Sequence, residues 1–343
     1  MFKKINHNKD KKIKVAITHG DFNGISYEVI IKTLSDNRLL EMFTPVVYGL
    51  PKVIGFYRKS LNIKDFNYHT ITRPEKTVDQ KVNIINVGDD AEVKIEPGNS
   101  SAEAGKMALK ALEKSTNDLK DKKVDILVTA PINKFNIHSE AFPFHGHTEY
   151  LTEKFKTSQS LMLMVSGSLR VATVTNHIPV SEISRQLTPD LIMEKLKNLH
   201  QSLRKDFLID MPKIAVLGLN PHAGDNGLIG TEEKDFIEDV ITQSNEQKML
   251  VFGPYPADGL FGSGNYKNFD AVLGMYHDQA LTPFKVLAGE TGVNYTAGLP
   301  IIRTSPDHGT AYDIAGKFMA NHRSFTEAVR QAYRMARWKQ RKA

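Results

Sequence analysis

The sequence predicts an α/β protein with a largely parallel sheet. Three observations carry this expectation. Short β-branched runs alternate with helical patterns along the whole chain. The chemically informative residues stand directly behind strand runs, where open parallel sheets collect their ligands. With 343 residues, 41% hydrophobic and 24% charged, the composition is that of an ordinary globular protein. No Pro/Gly/Ser linker separates independent domains, so the length fits one large domain or two lobes sharing a cleft.

The strand runs fall at 14–18, 45–49, 82–87, 125–129, 161–165, 170–175, 213–218, 249–252 and 270–274. Helical patterns occupy 102–119, 189–203, 232–243 and 324 to about 337. Thr129-Ala130-Pro131, Asn176-His177, Asn220-Pro221-His222 and Tyr276-His277-Asp278 each follow a strand run immediately.

Composition excludes several classes. No apolar run reaches the ~18 residues of a membrane span, and the basic start lacks the apolar core of a secretory signal. There are no cysteines, which removes disulfides, zinc ribbons, iron–sulfur clusters and a thiol nucleophile, and fits a cytoplasmic location. The net charge of +6 favours anionic ligands. Apart from the two ends (Lys3, Lys4, Lys9, Lys11, Lys12; Arg337, Lys339, Arg341, Lys342) the charge is dispersed, which speaks against a nucleic-acid surface. The first turn, Thr18-His19-Gly20-Asp21-Phe22-Asn23-Gly24, is no dinucleotide fingerprint. Gly98 to Lys106 is only faintly P-loop-like and reads as a helix start. Zinc-protease and nucleophile-elbow motifs are absent.

Of twelve histidines, His7, His69, His138, His200 and His322 lie in polar contexts and read as surface residues. His177, His222 and His277 each end a strand run. Three neutral imidazoles can hold zinc or another divalent ion while leaving positions open for substrate oxygens, although unrelated loop histidines would look the same. Asp258 is a candidate carboxylate to orient one of them, or an unremarkable turn residue. Gly146-His147-Thr148-Glu149 opens a helical run and can hold a phosphate or carboxylate, or simply cap the helix. Lys285, Asn294 and Arg303 sit in apolar, glycine-rich sequence, where cations more often clamp anions than decorate a surface. The run from Asp307-His308-Gly309-Thr310 to Gly316-Lys317, followed by Ala320-Asn321, suits close backbone approach to a nucleotide.

Taken in order, these blocks resemble the 4-hydroxythreonine-4-phosphate dehydrogenase (PdxA) family from about Ile17 to Ala328. The matching segments include Thr129-Ala130-Pro131-Ile132-Asn133-Lys134, Gly146-His147-Thr148-Glu149, Thr175-Asn176-His177-Ile178-Pro179 and Gly218-Leu219-Asn220-Pro221-His222-Ala223-Gly224. They continue through Gly253-Pro254 with Pro256-Ala257-Asp258, Tyr276-His277-Asp278-Gln279, Gly298-Leu299-Pro300-Ile301-Ile302-Arg303-Thr304-Ser305 and the 307–316 run. Any one block would be weak, whereas eight in register are specific.

The resemblance implies a fold like that of isocitrate and isopropylmalate dehydrogenases, which bind NAD without the usual glycine fingerprint. It implies one catalytic unit over 13–338 in two lobes, 1–138 plus 300–343 and 139–299. It points to His308, Gly309 and Asn321 for the cofactor, and to His177, His222 and His277 for a divalent metal (zinc, with magnesium or cobalt as alternatives) shared across a homodimer. His147, Thr148, Lys285, Asn294 and Arg303 match the substrate contacts, with His147 or Lys285 as the proton-transferring group. One departure stands out. The family pattern Gly-Asp-Pro-Ala/Ser-Gly-Ile-Gly-Pro-Glu is here Gly20-Asp21-Phe22-Asn23-Gly24-Ile25-Ser26-Tyr27-Glu28, a reshaped loop expected to border the cleft.

The chemistry implied is metal-assisted hydride transfer from C3 of 4-phosphooxy-L-threonine to NAD⁺, then decarboxylation to 3-amino-2-oxopropyl phosphate, a step of pyridoxal phosphate biosynthesis. Alternatives are oxidation of another phosphorylated four-carbon hydroxy acid or a dihydrodiol, a phosphate acetyltransferase-like activity, or a non-catalytic protein.

Overall fold

The computed structural model describes residues 12–89, 91, 93–157 and 160–342. The basic residues Lys3, Lys4, Lys9 and Lys11, with His7, lie outside the described residues. The chain forms two compact units, Met1–Lys154 with Ile301–Ala343, and Phe155–Pro300.

The first unit begins with β1 (Lys14–Thr18), α1 (Ser26–Leu34), α2 (Asn37–Met42), β2 (Thr44–Gly49), α3 (Pro51–Ser60), β3 (Tyr68–Ile71) and β4 (Val82–Asn86). It continues with α4 (Ala102–Lys120), β5 (Ile126–Thr129), α5 (Lys134–Ile137) and α6 (His147–Lys154). The second unit holds β6 (Leu161–Ser166), β7 (Leu169–Thr173), α7 (Ile183–Gln186), α8 (Pro189–Lys205), β8 (Lys213–Leu217) and α9 (Glu238–Glu246). Then come β9 (Leu250–Tyr255), α10 (Ala257–Gly262), β10 (Ala271–Gly274), α11 (His277–Ala288) and β11 (Val293–Ala297). The chain returns to the first unit with β12 (Arg303–Pro306) and α12 (Arg323–Lys342).

In the first unit the strands run in the order β3-β4-β2-β1-β5-β12. Every pairing there is parallel. β2 is buried along its whole length and β1 beyond Lys14, as expected for parallel strands covered on both faces. In the second unit the order is β11-β6-β7-β10-β8-β9, with β6 antiparallel to both β11 and β7 and the rest parallel. Its core joins Val171, Ala215, Leu217 and Val272 of the sheet to Leu281 and Phe284 of α11.

All nine expected strand runs form strands, with ends shifted by a few residues. Three strands had no such signal. β3 is short and mostly exposed, β11 interleaves polar residues with hydrophobic ones, and β12 is three polar residues and a proline. The 98–106 segment is a helix start, as expected: Ser101 caps α4 by accepting from Ala104 N. Gly105 is required there, because a Cβ would stand 2.0 Å from Asn136 O.

Candidate functional site

In the second unit the β7–β10 ladder sets Val171 beside Val272 and Thr173 beside Gly274. Backbone pairing runs on past the strand ends, with Val174 N donating to Gly274 O and Thr175 N to Met275 O. That register carries His177 and His277 to the same sheet end, where their ring centroids are 5.7 Å apart. His277 opens α11, and its Nδ1 lies 3.1 Å from Asp278 Oδ1. Asp258, the candidate carboxylate for orienting a histidine, stands exposed on the first turn of α10.

His222 follows β8 but enters a tight left-handed turn. His222, Ala223, Gly224, Asp225 and Asn226 all have φ between 41° and 78°. The turn is held from inside by Glu233, a fully buried carboxylate that accepts from Asn220 N at 2.8 Å and from Asn220 Nδ2 at 2.9 Å. His222 itself is exposed. Among the described residues, no three His, Asp or Glu of one chain stand close enough together to hold a metal. Two of the three predicted ligands, His177 and His277, stand together, and His222 forms no such group with them among the described residues. Lys285 is exposed on α11, two turns beyond His277. Asn294 lies on β11, and its Oδ1 is buried without a hydrogen-bond partner.

The anion-seeking residues of the first unit form a separate cluster. Arg303 opens β12 and is only 2% exposed. Its Nε and Nη2 donate to Thr129 Oγ1 at 3.1 and 2.7 Å, and burial lowers its pKa to about 10, so it stays a cation at neutral pH. His147 is the first residue of α6, and its Nε2 is buried without a partner. Burial, then the charges of Arg303 and Lys134, hold its pKa well below the ordinary value, so the imidazole is neutral. Thr148 lies inside the first turn of the helix rather than at its cap. Lys134 was not singled out in the sequence, although it belongs to the 129–134 block.

The 307–321 segment has no regular structure except turns. His308 Nδ1 lies 3.0 Å from Gly309 O, while its Nε2 is buried and unpartnered. Burial lowers its pKa as well. Gly309 is exposed, and Asn321 spends its Oδ1 on Arg323 N at the start of α12.

The other histidines separate by context. His69 and His138 are exposed, as their polar surroundings suggested, whereas His200 and His322 are half-buried on or beside packed helices. His19, read only as part of the first turn, is completely buried. Its Nε2 lies 3.2 Å from Met107 O, and burial lowers its pKa to about 4.

The fold and these residues define an α/β protein with a histidine pair beyond the ends of two parallel strands and a buried arginine beside Thr129. The family model described as pyridoxal phosphate biosynthetic protein PdxA matches residues 41–332, and the chain belongs to that family. It is 49% identical to a 4-hydroxythreonine-4-phosphate dehydrogenase of Bacteroides thetaiotaomicron over 334 residues, 97% of this chain and 91% of the relative. A D-threonate 4-phosphate dehydrogenase of Cupriavidus necator is 39% identical over 94% of this chain and 97% of its own length. Among solved structures, the 4-hydroxythreonine-4-phosphate dehydrogenase of Klebsiella pneumoniae superposes with a TM-score of 0.82 at 32% identity, covering 95% of this chain and 98% of the other.

Proposed function

We propose that this chain is a cytoplasmic 4-hydroxythreonine-4-phosphate dehydrogenase of pyridoxal phosphate biosynthesis, using NAD and a divalent metal. The observation that carries the reading is the distribution of buried polar atoms without partners. His147 Nε2, Asn294 Oδ1 and His308 Nε2 all belong to residues singled out for ligand contact. Buried polar atoms are almost always satisfied, and a bound ligand would complete the bonding of these three. Atoms of Thr18, His19, Glu28, Asn136 and Arg170, by contrast, are buried without partners away from the candidate contacts.

Arg303 and Lys285 supply positive charge for the substrate's phosphate or carboxylate. Arg303 is the stronger anchor, since its guanidinium is desolvated and already oriented by Thr129. The neutral His147 offers Nε2 for a hydrogen bond to substrate and can accept or return a proton there. Thr148 and Asn294 add neutral polar contacts. His308 and Gly309, with Asn321 beyond them, receive the adenosine part of the dinucleotide, and His308 Nε2 is the atom with bonding capacity to spare.

His177 and His277, 5.7 Å apart, suit joint imidazole ligation of a divalent ion, zinc first and magnesium or cobalt as alternatives. His222 completes the set when contributed by a second copy in a homodimer. A divalent ion held there would supply Lewis acidity toward the substrate's oxygens, and NAD⁺ would supply the hydride acceptor.

The likeness to the Cupriavidus necator enzyme favours one second reading, oxidation of D-threonate 4-phosphate. Purified protein is assayed for NADH formation with each substrate and for bound metal. Turnover of 4-phosphooxy-L-threonine is expected. Turnover of D-threonate 4-phosphate alone transfers the assignment, and no turnover of either by metal-loaded dimer overturns both readings.

A further inference from the structure

The first turn of the chain, whose sequence departs most from the family pattern, is not an exposed rim. Every residue from Asp21 to Ile31 is buried, and the segment forms the floor beneath the 307–321 segment. Contact is made at both ends of that segment. At one end, Ile25 N donates to Thr310 O at 3.0 Å, and a Cβ on Gly24 would stand 2.7 Å from the same oxygen. The Tyr312 hydroxyl donates to Asp21 Oδ2 at 2.7 Å and accepts from Asn133 Nδ2 at 3.1 Å. The same Asp21 oxygen accepts from Asn136 Nδ2 at 2.7 Å, and Asp21 Oδ1 accepts from Asn23 N at 2.9 Å. At the other end, Lys32 Nζ donates to Phe318 O at 3.1 Å, Ala320 O at 2.9 Å and Glu28 Oε1 at 2.7 Å. Glu28 Oε1 also accepts from Ala320 N at 2.8 Å.

We propose that Asp21 with Tyr312, and Glu28 with Lys32, are positioning residues that clamp the two ends of the 310–320 loop in the conformation that receives the dinucleotide. The inference rests on the cofactor role assigned to His308 and Gly309. Two observations argue that the clamp serves the loop. Between the clamped ends the backbone is strained: Ala311 and Phe318 are non-glycine residues with φ of 48° and 58°. Such conformations persist only where the surroundings over-determine them. Also, Asp21 and Glu28 are carboxylates with no exposed surface. Burying acids is costly, and each carboxylate gives one of its bonds, from the Tyr312 hydroxyl or from Ala320 N, to a loop that carries no core-forming helix or strand.

The departure from the family pattern fits this arrangement. Where the family has prolines to stiffen the turn, this chain has Phe22 and Tyr27. The Tyr27 hydroxyl accepts from Leu50 N at 2.7 Å, and its ring stacks on Tyr57 with centroids 5.9 Å apart. The Tyr57 hydroxyl reaches both Phe22 O and Gly24 O at 3.2 Å. Aromatic stacking and hydroxyl bonds thus supply the rigidity that the prolines would otherwise give.

The test compares wild type, Tyr312→Phe, Glu28→Gln and His308→Ala in the metal-loaded protein. NAD⁺ affinity is measured by calorimetry, steady-state constants with 4-phosphooxy-L-threonine or D-threonate 4-phosphate, and amide exchange without cofactor. Tyr312→Phe and Glu28→Gln should each weaken NAD⁺ binding roughly three- to tenfold, the equivalent of one lost hydrogen bond. At saturating NAD⁺, kcat and the substrate KM should stay within about twofold of wild type. Amides of 308–320 should exchange faster while those of 155–300 do not. A lowered Tm with unchanged NAD⁺ affinity and unchanged exchange in 308–320 overturns the clamp. That failure is separate from failure of the cofactor assignment, which would show as NAD⁺ affinity unaffected by His308→Ala and would remove the basis of both. If Glu28→Gln does not fold, Tyr312→Phe decides alone.

Discussion

His177 and His277 stand with their imidazole centroids 5.7 Å apart at the shared end of β7 and β10, brought there by a parallel register that continues beyond both strands. Neither residue has a sequence neighbour that would announce the other. The pairing also changes what a subunit-mixing experiment should show, because these two imidazoles belong to the same chain.

His177→Ala, His222→Ala and His277→Ala should each lose bound metal and activity while keeping the fold, because all three lie beyond strand ends. Mixing His177→Ala with His277→Ala protein should restore nothing, since every site keeps a lesion. Mixing His177→Ala with His222→Ala under conditions of subunit exchange should restore part of the activity and of the bound metal. Recovery with the first pair would place His177 and His277 of one site on opposite chains, and full metal content in any single variant would remove that histidine from the set.

Arg303→Ala should weaken binding of the phosphorylated substrate by about 1.5–3 kcal/mol, the scale of a lost charge-assisted hydrogen bond. Arg303→Lys should rescue it poorly, because an ammonium cannot reproduce the two donations to Thr129 and still present a planar fork to the anion. Lys285→Ala, on an exposed helix face, should cost less. A KM for substrate that does not move in Arg303→Ala, with NAD⁺ binding lost instead, would assign this cation to the other ligand.

His19 makes stability pH-dependent. Its folded pKa of about 4 lies below the ordinary 6.5, so the unfolded chain binds the proton first as pH falls. Stability should therefore decline between pH 6.5 and about 4. Once both forms are protonated, this one residue accounts for roughly 3 kcal/mol of the loss. His19→Gln removes the titration, and its urea-unfolding free energy should fall less steeply over that window. Parallel pH curves for the two proteins would show that another group is responsible.

Tyr27→Phe deletes the hydroxyl that accepts from Leu50 N and leaves a buried N–H without its partner. A cost of about 1–3 kcal/mol is expected in chemical denaturation. Leu50 N lies at the β2–α3 junction, so amide exchange there should accelerate before exchange elsewhere in the first unit. An unchanged unfolding midpoint would mean that the backbone re-pairs locally.

The parallel α/β class and nine of the twelve strands among the described residues were legible in the chain itself, because buried strands are written as continuous β-branched runs. The residues at the strand ends were legible for the same reason: a run of Val, Ile and Leu that stops at Asn-His or Thr-Ala-Pro marks both the end of a strand and the start of a loop. β11 was hidden because Asn294 and Thr296 interrupt its hydrophobic pattern, and β12 because Arg303-Thr304-Ser305-Pro306 has no hydrophobic run by which a strand is recognised.

What the sequence alone determined, then, was local: periodicity, strand ends, residue types and the order of the motif blocks. The tertiary structure decided which of those blocks meet. The register of β7 on β10 joins His177 to His277, and a left-handed turn held by buried Glu233 fixes the backbone at His222. Asp278, not Asp258, touches His277 because α11 begins at that histidine. The reshaped first turn became the floor under the 307–321 segment because β1 and β12 both flank β5 and run parallel to it. For the histidine pair and for the floor under 307–321 the physical reason is the same: hydrogen-bond register and burial act between segments distant along the chain, and a linear pattern carries no record of which segment will be opposite.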